Sequence, residues 1–137
     1  MDKKYKILLI EDEPDLADLF SASLLNAGFN VETIVDGSNA LETIKRLKPD
    51  LVLLDLIIPL KDGYEVLREV KCDKVTKNTL VYVFSNLTQK AEVERAMKLG
   101  AKDYLVKSDY TPSELVKKVN EIFCLTDKKI NKLLYNI

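Results

Sequence analysis

The sequence predicts an α/β domain: a doubly wound parallel sheet of five strands with five helices covering its two faces. Three observations predict it. Five short apolar runs alternate with five segments whose apolar residues recur every three or four positions. The run Ile7 to Ile10 shows no polar alternation, as in a strand buried on both faces. The 137 residues, 47% of them apolar, suit a single domain with a real core.

Ile7 to Ile10 is the first strand. Pro14 suits a helical first turn, Leu16, Leu19, Phe20, Leu24 and Ala27 keep helical spacing, and Gly28 stops the helix. Asn30 to Ile34 is a second, shorter strand. Ala40, Leu41, Ile44 and Leu47 mark the second helix, which must end before Pro49. Leu51 to Leu54 is the third strand, followed by a loop with the turn residues Pro59 and Gly63. Val66, Leu67 and Val70 mark the third helix, and Leu80 to Phe84 the fourth strand. Val93, Ala96 and Met97 carry the fourth helix, with Gly100 at its end. Tyr104 to Val106 is the fifth strand. Thr111, Pro112, Ser113 and Glu114 form a capping box with proline at the first helical position. Leu115, Val116, Val119, Ile122 and Phe123 complete the fifth helix.

Composition removes several classes of function. With 21 basic and 22 acidic residues the net charge is −1, which argues against a broad basic surface and direct nucleic-acid binding. No apolar run approaches the ~20 residues of a membrane-spanning helix, so no membrane insertion is expected. The charged start from Met1 to Lys6 leads straight into a strand, with no signal-peptide core. Cys72 and Cys124 form no metal motif and suit a reduced, cytoplasmic setting. They fall at the ends of the third and fifth helices, on opposite faces of the sheet, and so are unpaired. Histidine is absent, which removes the commonest general base and zinc ligand. Residues 1–55 carry 6 basic and 11 acidic side chains, and residues 56–137 carry 15 and 11. The acidic excess therefore lies in the first half.

The residues at the strand ends carry the chemistry. The first strand ends in Glu11-Asp12-Glu13, the third in Asp55, the fourth in Ser85 and the fifth in Lys107. Parallel strands bring these ends to one edge, where open α/β sheets bind ligands. In the order 2-1-3-4-5 the first and third strands are neighbours, about 4.8 Å apart. Asp12 and Asp55 then face each other, with Glu11 close by. Carboxylates so crowded raise one another's pKa unless a cation intervenes. Few carboxylates, retained waters and a phosphate form the usual Mg2+ arrangement, in which Mn2+ can substitute. Lys107 and Ser85 on the same edge add a positive charge and a hydroxyl donor suited to a phosphoryl group. Taken singly, each of these residues reads as an ordinary loop, turn or cap residue. Only the set points to a site.

The stretches IEDE at 10–13, LVLLDLIIPLKDG at 51–63, VFSN at 83–86 and GAKDYLVK at 100–107 resemble, in this order and spacing, the receiver domain of two-component response regulators. The resemblance covers roughly residues 5–124. It implies a flavodoxin-like, CheY-like three-layer sandwich, with 1–124 as receiver domain. It implies that Asp55 accepts a phosphoryl group, that Asp12 binds Mg2+ directly, that Glu11 assists and that the Ile57 carbonyl is a further ligand. Lys107 and Ser85 would hold the phosphoryl group, Ser85 moving toward it on activation, and Tyr104 would be an aromatic switch. By itself Tyr104 also reads as a core aromatic with a wet hydroxyl. The implied partners are a sensor histidine kinase or histidine phosphotransfer protein, a downstream target or output domain, and a second copy in a phosphorylation-dependent homodimer. The output surface would be the fourth helix, fifth strand and fifth helix. The protein would be a switch with self-dephosphorylation rather than a turnover enzyme.

Three departures from the family pattern bear on these expectations. Ser108 follows Lys107 where the family has a cis-proline; trans and strained cis bonds are both open. Asn86 replaces a small residue after Ser85, and is expected to narrow access to the site. Ile57 and Leu87 are aliphatic where the attacking water passes, which predicts slow self-dephosphorylation. Other readings fit less well. A haloacid-dehalogenase-like phosphatase needs a second Asp at position 57, which is Ile. A flavodoxin-like binder needs a phosphate-cradling loop, but the loop after the first strand reads EDEPD. A receiver that is never phosphorylated conflicts with filled acceptor, metal and lysine positions. Residues 125–137 form a short amphipathic extension with Ile130, Leu133, Leu134 and Ile137 at helical spacing. They prolong the fifth helix, fold back to pack on the domain, or begin a linker to a larger multidomain regulator.

Overall fold

The structure, a computed structural model, describes residues 4–135. Met1 to Lys3 and Ile137, the last residue of the apolar stripe, lie outside the described residues. The strands are β1 (Lys6–Ile10), β2 (Asn30–Ile34), β3 (Leu51–Leu54), β4 (Val81–Ser85) and β5 (Asp103–Val106). The helices are α1 (Pro14–Asn26), α2 (Ala40–Leu47), α3 (Gly63–Cys72), α4 (Lys90–Lys98) and α5 (Pro112–Tyr135). The strands pair in parallel in the order β2-β1-β3-β4-β5. This is the expected doubly wound sandwich.

Period-two alternation divides the strand side chains between two cores. Ile7, Leu9, Leu51, Leu53 and Phe84 meet Phe20 and Leu24 of α1 and Leu115, Val119 and Ile122 of α5. Leu8, Ile10, Val52, Leu54 and Val83 meet Ile44 of α2, Leu67 and Val70 of α3, and Ala96 of α4. Burying each such side chain contributes about 1.5–3 kcal/mol, which offsets the conformational entropy of the chain. The local stop and start signals act as read. Gly28 takes a φ of +103° just past α1, a conformation open to glycine without strain. Thr111 N–H donates to Glu114 Oε1 at 3.0 Å and Glu114 N–H to Thr111 Oγ1 at 3.2 Å, closing the capping box.

Several boundaries differ from the sequence reading, and β1 starts one residue earlier, at Lys6. β4 includes Ser85 and excludes Leu80, because its ladder to β5 extends to the pair Ser85–Val106. β5 likewise begins at Asp103. α5 runs without a break through residue 125 to Tyr135, so Cys124 lies inside the helix and not at its end. Both cysteines are free and exposed. Of the alternatives for the extension, the helix is prolonged. Of the stripe, Leu133 and Leu134 are 79% and 69% exposed, so these two do not pack closely on the domain. The reason is length. A 24-residue helix spans about 36 Å, whereas strands of 4–5 residues span about 15 Å. The far end of α5 overhangs the sheet. Among the described residues no helix is long and apolar enough to cross a membrane.

Candidate functional site

Strand register builds the site. Ile10 stands opposite Leu54, so Glu11 and Asp55 leave the sheet side by side, and Asp55 N–H donates to the Ile10 carbonyl at 3.1 Å. Ser85 stands opposite Val106, which places Lys107 one step beyond. Lys107 opens a 3-10 turn over Lys107–Asp109. Glu11, Asp55, Ser85 and Lys107 are all buried, while Asp12 is exposed at the rim.

Asp55 is gripped from two sides. Its Oδ1 accepts from Ser85 Oγ at 2.8 Å and from the Ile57 N–H at 3.1 Å. Its Oδ2 accepts from Lys107 Nζ at 2.6 Å. Ser85 therefore already touches the carboxylate. The loop after Asp55 is pressed against the start of α3. A Cβ at Gly63 would lie 2.5 Å from the Asp55 carbonyl oxygen and from Leu56 Cα, so only glycine fits there. This close approach, more than a turn conformation, explains Gly63.

Lys107 Nζ also donates to Glu11 Oε1, while Glu11 Oε2 accepts from the Glu13 N–H at 3.1 Å. Burial raises the Glu11 pKa, opposed by Lys107 and by the Glu13 N–H. Burial pulls the Lys107 pKa down, but Asp55 and Glu11 more than offset it, and Lys107 titrates above its usual value. Lys107 is thus held as an ammonium ion.

Glu11, Asp12 and Asp55 each offer a carboxylate oxygen, and these oxygens lie within 4.8 Å of one another. Against them stands one ammonium group, so the ionised cluster carries an excess of two negative charges. That excess and the all-oxygen donor set fit a hard divalent cation such as Mg2+. Asp12, exposed and without a hydrogen bond or ion pair among the described residues, is the carboxylate free to take it.

The remaining candidates flank this cluster. The half-buried Tyr104 donates its hydroxyl to the Leu87 carbonyl. Burial raises the Tyr104 pKa, partly opposed by the neighbouring Ser85. The Ile57 side chain is 61% exposed at the rim. The Lys107–Ser108 peptide is trans. Asn86 uses its Oδ1 to accept the Ser108 N–H at 2.8 Å. Sequence reasoning marked both residues as departures and missed that they are partners. It also missed the Glu13 N–H on Glu11, a loop contact that no spacing rule marks, unlike the capping box at Thr111 and Glu114.

The family profile described as response regulator receiver domain matches residues 7–120. The DNA-binding response regulator MtrA of Mycolicibacterium smegmatis is 35% identical over 116 residues, 85% of this chain and 49% of that protein. A putative response regulator from Chloroflexus aurantiacus superposes with a TM-score of 0.79 at 28% identity, covering 89% of this chain and 99% of its own. The receiver domain of a Pseudomonas aeruginosa sensor histidine kinase, solved with a magnesium ion coordinated in its active-site cleft, superposes with a TM-score of 0.77 at 26% identity, covering 87% and 97%. The chain spans about half the length of the curated relatives it matches. These relatives are named as DNA-binding regulators, which gives no support to the expected absence of nucleic-acid contact.

Proposed function

The chain belongs to the response regulator receiver domain family of two-component signalling, and from that premise we propose that it is a phosphorylation-driven switch whose acceptor is Asp55. The observation that carries this reading is the buried Asp55 carboxylate held between Ser85 and Lys107 beside Glu11 and Asp12. Asp55 oxygen attacks the phosphorus of a phosphodonor in line; the O–P bond forms, the bond to the leaving group breaks, and an acyl phosphate results. The donor is the phosphohistidine of a sensor kinase or phosphotransfer protein, which fits a chain that has no histidine of its own.

The protein's groups act mainly by position and charge. Lys107 offsets the negative charge that the phosphoryl oxygens bring, and Ser85 offers them a hydroxyl donor. Asp12, assisted by Glu11, Asp55 and the Ile57 carbonyl, would hold Mg2+ or Mn2+. When bound, the cation supplies further charge neutralisation at the phosphoryl oxygens. The new charge draws Ser85 and Lys107 from the carboxylate to the phosphoryl group. Tyr104, bonded to the Leu87 carbonyl, links that shift to the loop before α4. The surface of α4, β5 and α5 then favours a target, an output domain or a second copy. The chain is an acceptor that changes state, located in the cytoplasm, and not a turnover enzyme.

The test is incubation with Mg2+ and acetyl phosphate, followed by mass spectrometry. The wild type should gain one phosphoryl group and Asp55→Asn none. No gain by the wild type, or equal gain by both, overturns the assignment.

A further inference from the structure

One contact beside the site has no part in the chemistry above. Asn86 follows Ser85 at the end of β4, and Ser108 follows Lys107 at the start of the 3-10 turn. The Ser108 N–H donates to Asn86 Oδ1 at 2.8 Å, across 22 positions of sequence. A backbone N–H can only donate, so the Asn86 amide must present its oxygen. Ser85 and Lys107 meanwhile hold opposite oxygens of Asp55, at 2.8 and 2.6 Å. The two arms that grip the carboxylate are therefore fastened to each other one residue further along.

We propose that Asn86 is a positioning residue whose bond to the Ser108 N–H clasps the Ser85 arm to the Lys107 arm and holds both donors in place for phosphoryl uptake at Asp55. This rests on the reading of Asp55 as phosphoacceptor. The ladder between β4 and β5 ends at the pair Ser85–Val106. Past it, among the described residues, no backbone bond joins the two loops. Asn86 supplies the next rung with its side chain. Lys107 reaches Asp55 on a flexible four-carbon stem, so its Nζ is only as well placed as the backbone that carries it. The donor is the main chain of residue 108, so the serine hydroxyl is not used. A proline at 108 would have no N–H to give.

The test uses the full chain with acetyl phosphate and Mg2+, and reads the rate of acyl-phosphate formation and the hydrogen exchange of the Ser108 amide. Asn86→Ala should slow uptake about two- to tenfold, the worth of one hydrogen bond, and should speed exchange at Ser108 to a similar degree. Ser108→Pro should slow uptake comparably, and combining it with Asn86→Ala should add no further loss. Ser108→Ala keeps the N–H and should behave as the wild type in both readouts. Unchanged uptake in Asn86→Ala, a loss shared by Ser108→Ala, or losses that multiply in the double variant overturn the clasp. If Ser108→Pro does not fold, Asn86→Ala and Ser108→Ala decide between them. If the wild type takes up no phosphoryl group at Asp55, the functional reading fails. Ser108 exchange then decides the clasp alone: faster exchange in Asn86→Ala upholds the bond and an unchanged rate overturns it.

Discussion

Lys107 Nζ lies 2.6 Å from Asp55 Oδ2 and also bonds Glu11 Oε1, and all three side chains are buried. One ammonium ion therefore serves two carboxylates that are largely shielded from water. Removing one member of such a group leaves buried charge without its partner, which costs far more than a surface pair is worth.

Lys107→Met should accordingly destabilise the metal-free protein by about 3 kcal/mol at neutral pH. Mg2+ should restore part of that loss by supplying the missing positive charge. Denaturant unfolding with and without Mg2+ checks this. Equal losses in both buffers would show that Lys107 and the cation do not share one charge balance.

Asp12 is the exposed carboxylate of the cluster. Millimolar Mg2+ should raise the melting temperature of the wild type, because a ligand of the native state stabilises it by mass action, by ~2.7 kcal/mol at a hundredfold excess over Kd. Asp12→Asn should lose most of this rise while folding normally in its absence. A full Mg2+ response in Asp12→Asn would place the cation elsewhere.

Ile57 and Leu87 offer no group able to orient an attacking water. The double variant Ile57→Asn, Leu87→Glu should lose its phosphoryl group faster, by up to ~100-fold, the lower end for a positioned proton-transferring group. The measurement is decay of the acyl phosphate after the donor is removed. An unchanged or slower decay would refute the prediction of slow self-dephosphorylation.

Tyr5 donates its hydroxyl to Asp127 of α5, and its ring stacks on Phe123 at 3.9 Å. Burial first, then Asp127, pushes its pKa up to about 12. The fold thus favours the protonated phenol. This contribution is whole below pH ~10, the value for an unfolded chain, and is lost as pH rises through the folded value. The stability advantage of the wild type over Tyr5→Phe should hold at pH 8 and shrink between pH 10 and 12. Urea midpoints across that range provide the check, and a constant difference would contradict it.

The fold and most of the site are legible in the order of residues along the chain. Unbroken apolar runs such as Leu51 to Leu54 mark strands covered on both sides, and the parallel arrangement then gathers Asp12, Asp55, Ser85 and Lys107 at one edge. The strand limits at Ser85 and Asp103 could not be read in the same way. They depend on how far the β4–β5 ladder extends and not on hydropathy. The spacing of Leu133 and Leu134 predicted a helix correctly, but their burial depended on whether anything lay beneath them. α5 is longer than the sheet, so Leu133 borders an open cavity beside Pro49, Asn78 and Thr79 and not a packed layer.

The sequence alone determined which chemical groups this protein places at its sheet edge, because periodicity and strand-end position are local properties of the chain. Tertiary structure decided the pairing. It set Ser85 on one oxygen of Asp55 and Lys107 on the other, placed Glu11 against the same ammonium ion, and joined Asn86 to Ser108. Those partners lie 30, 52, 96 and 22 residues apart. Their contacts follow from register and from the packing of two cores against one sheet, and distances of a few tenths of an ångström cannot be carried by a pattern of polar and apolar residues.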